Sequence, residues 1–120
     1  MSEKVSVGWE TIIGTVPSKS NGLRFIGGRT YKSKAITDYE KTFWAQCIKY
    51  RYKGISKPFE LSLNVYYPSR RSDLDGSFKI ILDMLQTCGA ITNDRNCIKI
   101  VAERFIDKIN PRIEFRITPI

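Results

Sequence analysis

Apolar and polar positions alternate most cleanly over residues 59–67. Phe59, Leu61, Leu63, Val65 and Tyr67 fall on one side and Glu60, Ser62, Asn64 and Tyr66 on the other, the period of a half-buried strand, with Pro68 after it. The same alternation returns over residues 112–118, where Ile113, Phe115 and Ile117 oppose Glu114, Arg116 and Thr118. Two weaker patterns predict strands over residues 10–16, stopped by Pro17, and over residues 98–106. Elsewhere the period lengthens. Ile36, Tyr39, Phe43, Cys47 and Tyr50 recur at helical spacing and predict a helix over residues 33–53, with Gly54 as its stop. A second helix is predicted over residues 75–88, with Phe78, Ile81, Leu82 and Leu85 as its apolar stripe and Gly89 at its end. Residues 18–28, rich in Gly, Ser and Asn, read as a mobile basic loop. The order strand, helix, strand, helix, strand, strand predicts an α+β fold, with two main helices packed on one mixed sheet.

At 120 residues, 42% of them apolar, residues 1–120 are expected to form a single domain with a real core. Charge sharpens the picture. The net charge is +8, and it is lopsided: residues 1–72 carry 13 bases against 5 acids, whereas residues 73–120 carry 7 of each. Lys19, Arg24, Arg29, Lys32 and Lys34 run without an intervening acid, and Lys49, Arg51, Lys53, Lys57, Arg70 and Arg71 form a second run broken only by Glu60. Phe25, Tyr31, Tyr50, Tyr52, Tyr66 and Tyr67 are interleaved with these bases. Such a field attracts polyphosphate and steers nucleic acid, although a merely solvated surface has the same composition.

The chain has no histidine. That excludes Ser-His-Asp and Cys-His catalysis, nucleases that use imidazole, and zinc sites with His ligands. Acid–base or metal chemistry must fall to carboxylates, lysines or hydroxyls. The three cysteines, Cys47, Cys88 and Cys97, are too few for a four-cysteine metal site and read as buried hydrophobes in a reducing compartment. No uncharged apolar run approaches the ~20 residues of a bilayer span, and residues 1–9 lack a signal-peptide pattern. A soluble, cytoplasmic protein with no membrane partner is expected.

The acidic residues with most to say lie in Arg70-Arg71-Ser72-Asp73-Leu74-Asp75-Gly76, between a strand's end and a helix's start. Two carboxylates at i and i+2 can converge there because the backbone is not yet helical, and a helix N-terminus favours negative charge. The plain alternative is that Ser72 or Asp73 caps the helix. A calcium loop fails, because its sixth position is Phe78 rather than Gly and its twelfth is Met84 rather than Glu. Lys79 and Asp83 follow Asp75 at i+4 and i+8 and share its helix face, either as a ladder of ion pairs or with the lysine in reach of a bound phosphate. Asp94, in Thr92-Asn93-Asp94-Arg95, is either a turn residue or a third carboxylate. The helix is ~20 Å long and residues 88–94 span at most ~20 Å. Asp94 therefore meets the others only if the chain runs straight back along the helix, or across a subunit interface.

Together these residues resemble the RusA family of Holliday junction resolvases. That family carries an Asp-Leu-Asp motif opening a helix, a lysine four residues after the second aspartate, and a further aspartate beyond the helix; Asp73, Asp75, Lys79 and Asp94 match it. Arg70-Arg71, Gly28-Arg29-Thr30-Tyr31 and Tyr39-Glu40 are similar to further family segments, and the resemblance covers most of residues 11–118. Two positions depart: Gly76 stands where the family usually has Asn, and Asn93 where an acid is common. The resemblance implies an endonuclease dependent on Mg2+, with Mn2+ as an alternative, that nicks four-way DNA junctions symmetrically as a homodimer. It implies Asp73, Asp75 and Asp94 as metal ligands, Lys79 as a catalytic cation, and Arg24, Arg29, Lys32, Arg70 and Arg71 as contacts to branched DNA. A nuclease acting on other branched DNA, and a basic DNA-binding module whose aspartates are only caps, are the competing readings.

Overall fold

β4 (Phe59–Tyr67) forms where the alternation predicts it and lies inside a four-stranded sheet. The computed structural model describes residues 8–17, 23–26, 29–70 and 75–120. On one side β4 pairs in parallel with β5 (Cys97–Ile106); on the other it pairs antiparallel with β6 (Arg112–Pro119). β1 (Glu10–Ile13) adds to β6, so the sheet is mixed, in the order β1-β6-β4-β5. A parallel pair needs a crossover, and helix α2 (Phe78–Thr87), preceded by a 3-10 turn at Asp75–Ser77, supplies it. Helix α1 (Lys34–Gln46) lies between β3 (Arg29–Lys32) and β4 in the chain. The result is a single α+β domain.

The sheet's two faces differ as the pleat requires. Phe59, Leu61, Leu63, Val65 and Tyr67 of β4 and Ile113, Phe115 and Ile117 of β6 are buried in one cluster with residues of both helices. Phe115 lies at its centre, stacked on Phe43 of α1 at 5.8 Å and tilted against Tyr50 at 5.4 Å. By the usual cost of emptying a packed site, Phe115→Ala should destabilise by about 3–5 kcal/mol. The opposite face carries Glu60, Asn64, Tyr66, Arg112, Glu114 and Arg116, all only partly buried.

Helix α1 starts at the predicted place, where the Ser33 hydroxyl accepts from the Ile36 N–H, but it ends at Gln46, earlier than the spacing predicts. Cys47 and Tyr50 are buried as expected, yet tertiary contacts hold them rather than a helix. Glu10 accepts the Lys49 N–H at 2.6 Å, and the Tyr50 hydroxyl donates to the Gly8 carbonyl at 2.7 Å while accepting the Ile117 N–H at 3.2 Å. These bonds pull the chain out of its helical path and tie it to the sheet. The end of α1 also covers an edge strand: the Gln46 amide exchanges two hydrogen bonds with the Ile13 backbone, at 2.9 and 3.0 Å. β1 is correspondingly shorter than predicted, stopping before Gly14 with its φ of +122°.

The predicted mobile loop is corrected in part. β2 (Leu23–Ile26) pairs antiparallel with β3 (Arg29–Lys32), with Ile26 opposite Arg29. The rest of the predicted loop, residues 18–22 and 27–28, lies outside the described residues. The α2 stripe is also rotated from its prediction: Ile80, Ile81, Met84 and Leu85 are the buried residues, while Phe78 and Leu82 pack only partly against the core. Cys47 and Cys88 end α1 and α2 with their sulfurs 3.8 Å apart in the core, as free thiols. Among the described residues, no helix is long and apolar enough to cross a membrane.

Candidate active site

What brings Asp94 back toward the start of α2 is the turn at that helix's end. Gly89 adopts a φ of +77°, and a Cβ there would meet the Tyr52 ring at 3.2 Å, so the reversal uses glycine for both its backbone and its bulk. The chain then runs beside residues 54–55: the Gly54 N–H donates to the Gly89 carbonyl, the Ile55 N–H to the Ala90 carbonyl, and the Thr92 N–H to the Ile55 carbonyl, at 2.8, 2.9 and 3.0 Å. This short parallel ladder directs the chain back along α2. Asp94 opens a 3-10 turn, Asp94–Asn96, and its own N–H donates to the Gln86 side-chain carbonyl at 2.9 Å.

The capping duty in that turn falls on Asn93, whose side chain accepts the Arg95 N–H at 2.9 Å. The Asp94 carboxylate is thereby released for other work. It accepts from the Lys79 ammonium at 3.0 Å, and the same ammonium lies 3.2 Å from Asp83. The hydrogen bond that the ammonium donates to Asp94, then that to Asp83, raises the Lys79 pKa above its ordinary value, so the ammonium stays charged through the neutral range. Both partners remain reachable from solvent, with side-chain exposures of 57% for Lys79 and 32% for Asp94. Arg95, exposed, follows directly.

A family model described as Endodeoxyribonuclease RusA matches residues 14–118. The chain belongs to the RusA endodeoxyribonuclease family. A relative named Crossover junction endodeoxyribonuclease RusA, from Aquifex aeolicus (strain VF5), is 26% identical over 108 residues, covering 87% of this chain and 84% of the relative.

Of the residues that match the RusA motif, Lys79 and Asp94 are brought together within one chain, so this pair needs no second subunit. Asp75 begins the 3-10 turn that leads into α2, four residues before Lys79. Asp73 and Arg71 lie outside the described residues. Arg70 is exposed beyond the end of β4, and Arg24, Arg29 and Lys32 belong to the β2–β3 hairpin. Among the described residues no three acidic or thiol side chains converge as a metal site, and Asp94 and Asp83 are the carboxylates gathered at Lys79. Of the carboxylates that match the family motif, Asp94 has a side chain among the described contacts, and as an oxygen donor partly open to solvent it is of the kind that suits a hard divalent cation. Sequence reasoning gave no role to Gln86 and named Asn93 only as a departure from the family pattern. The signal for Asn93 was present, since an Asn two residues before an N–H it can capture is the standard side-chain turn.

Proposed function

We propose that the chain is a structure-specific endodeoxyribonuclease that resolves four-way DNA junctions by paired symmetric nicks, and that residues 1–120 form its single endonuclease domain. The Lys79–Asp94 ion pair supports this reading, because it holds Asp94, a match to the further aspartate of the family motif, against the helix that carries Lys79. Asp73, Asp75 and Asp94 hold Mg2+, or Mn2+ in its place. Those carboxylates would hold the ion, which would supply charge stabilisation at the scissile phosphate and a water nucleophile near neutral pH.

The chain's own residues set up the reaction around that ion. Asn93 and Gln86 fix the turn that carries Asp94, so its carboxylate is presented without searching. Lys79 neutralises charge as it develops on the phosphoryl oxygens, and its exposure lets it exchange Asp94 for a phosphate oxygen. Arg24, Arg29, Lys32, Arg70 and Arg71 hold the backbones of the branched duplex. Resolution takes two cuts on opposed strands while each chain has one such cluster, so the active form is a two-fold homodimer. The free thiols support a cytoplasmic location.

The test is incubation of purified protein with a mobile four-way junction in Mg2+ and in EDTA, with the cut ends mapped on all four strands. Paired, Mg2+-dependent nicks on opposed strands are expected. Binding without cutting would reduce the chain to a basic DNA-binding module. Faster cutting of flaps or three-way forks would change the substrate to another branched DNA.

A further inference from the structure

The end of α1 and the loop after it carry a surface that the proposed reaction does not use. Between residues 41 and 57 the chain holds five bases, Lys41, Lys49, Arg51, Lys53 and Lys57, and no acid. Within that stretch three large apolar side chains face solvent: Trp44, Ile48 and Tyr52 are 44%, 72% and 72% exposed. Trp44 and Tyr52 meet edge to face at 6.5 Å, and the Arg51 guanidinium lies over the Trp44 ring at 4.2 Å and over the Tyr52 ring at 5.8 Å. Arg51 is held there, since its Nη1 donates at 2.9 Å to the Trp44 carbonyl in the last turn of α1. Alongside, Thr37, Glu40, Lys41 and Trp44 line a groove of about 400 Å³ on the solvent side of α1, with largely apolar walls.

The backbone keeps Tyr52 outside at some cost. Its φ of +67° is, among the described residues, the one non-glycine value in the left-handed region, where a side chain crowds its own backbone. The turn itself is needed, because the Tyr52 N–H donates to the Cys88 carbonyl at 3.1 Å and the Lys53 N–H to the Tyr50 carbonyl at 3.0 Å. A glycine would make the same turn with less strain, and a ring this exposed adds little to the core. A tyrosine retained on these terms has a use at the surface.

Charge and shape together select the occupant. Single-stranded DNA stacks its bases on open aromatic faces, but Arg51 already covers a face of Trp44, and the aliphatic Ile48 offers no stacking. A second copy of this chain would bring the same run of bases against this one, and like charges oppose that pairing. An acidic segment with a bulky apolar side chain meets neither obstacle. We infer that the Trp44–Arg51–Tyr52 surface docks such a segment of another protein, its carboxylates pairing with Arg51 and Lys53 and its apolar side chain entering the groove beside Trp44. Buried aromatics and arginines are the residues that carry most of the affinity in contacts of this kind.

The test uses a fluorescein-labelled peptide, Asp-Asp-Phe-Asp-Asp-Leu, followed by anisotropy in about 150 mM salt, which screens distant surface charge. Trp9→Phe leaves Trp44 as the sole tryptophan, so its emission reports on this surface. Binding should shift that emission to the blue. Arg51→Gln and Tyr52→Asn should each weaken binding about 10-fold, Asn being a residue that tolerates the left-handed turn. Lys99→Gln removes the same charge beside Glu60 on the opposite face of the sheet and should change affinity less than about 2-fold. A peptide with Asn in place of every Asp should not bind. Failure of the acidic peptide to bind, or equal binding of the Asn peptide, would overturn the assignment. So would binding that leaves Trp44 emission unmoved, or that Lys99→Gln weakens as much as Arg51→Gln, since net charge alone would then hold the peptide. A blue shift produced by an oligo-dT strand and not by the peptide would give the surface to nucleic acid, and one produced by raising protein concentration alone would give it to a second copy.

Discussion

Lys79 and Asp94 are fifteen residues apart in the chain and 3.0 Å apart in space, joined by an ion pair between the first turn of α2 and the turn that enters β5. The pairing converts a local sequence motif into a spatial one. It depends on Gly89, on the ladder along residues 54–55, and on Asn93 rather than Asp94 serving as the cap.

Asp94→Asn separates a metal ligand from a turn residue. Asn serves well in turns, so the variant should fold and assemble normally. If Asp94 is a metal ligand, removing its charge forfeits several kcal/mol of transition-state stabilisation, so nicking in Mg2+ should fall at least about 100-fold. In EDTA, junction affinity measured by gel shift should be equal or higher, because one repulsive charge is gone. Near-normal nicking would remove Asp94 from the site.

Lys79→Gln should cost at most about 1 kcal/mol of stability, because an ion pair this exposed is weak. Its effect on cutting should be much larger, about 100- to 1,000-fold, if the ammonium faces the developing phosphoryl charge. The raised Lys79 pKa keeps the pair's contribution complete below the ordinary lysine value and loses it only in strong alkali. Rate profiles between pH 6 and 9 should therefore show no step that Lys79→Gln removes. Equal losses in stability and rate would make Lys79 structural.

Replacing Arg29 and Lys32 together by Ala should flatten the dependence of junction affinity on salt, since each phosphate contact releases counterions. A titration series in NaCl measures the slope. An unchanged slope would assign the β2–β3 hairpin bases to solvent.

Two buried tyrosines should answer the same substitution with opposite signs. The Tyr50 hydroxyl holds the Ile117 N–H and the Gly8 carbonyl, so Tyr50→Phe orphans a buried donor and should cost about 1–3 kcal/mol. The Tyr39 hydroxyl is buried with no partner among the described residues, and burial pushes its pKa up. Tyr39→Phe should be neutral or stabilising. Denaturant unfolding of both variants checks the pair, and a loss at Tyr39 matching that at Tyr50 would contradict it.

Asp107 organises the turn between β5 and β6. Its carboxylate accepts the Ile109 and Asn110 N–H groups at 3.1 and 3.0 Å and pairs with Arg112 at 2.9 Å. The Asn110 N–H foremost, and Arg112 next, lower its pKa. A carboxyl lowered on folding stabilises above its unfolded pKa and loses that contribution as pH falls through the folded value. Asp107→Ala should therefore melt below the wild type at pH 7, and the two melting temperatures should converge as pH drops below about 4. A gap that persists at pH 2 would point to lost packing instead.

The sequence by itself determined β4, β6 and the start of the first helix, because their signals are local: a two-residue alternation for the strands and Ser33 as a cap; the second helix, expected from Asp75, opens instead with a 3-10 turn over Asp75–Ser77 and becomes α-helical at Phe78. The sequence also excluded imidazole chemistry, since the chain has no histidine, and concentrated the net positive charge in the first half. Tertiary structure decided the rest. The Ser33 helix stops at Gln46 because Glu10 and Tyr50 draw the next residues to the sheet, and neither contact has a signature at the helix's end. Ile80 and Met84 replace Phe78 and Leu82 in the core because helix rotation is set by the sheet beneath, not by hydrophobicity alone. Chain length allowed Asp94 to return along α2 or to cross to another subunit. Only the pairing of residues 54–55 with 89–92, a contact between segments more than thirty residues apart, directs it back to Lys79.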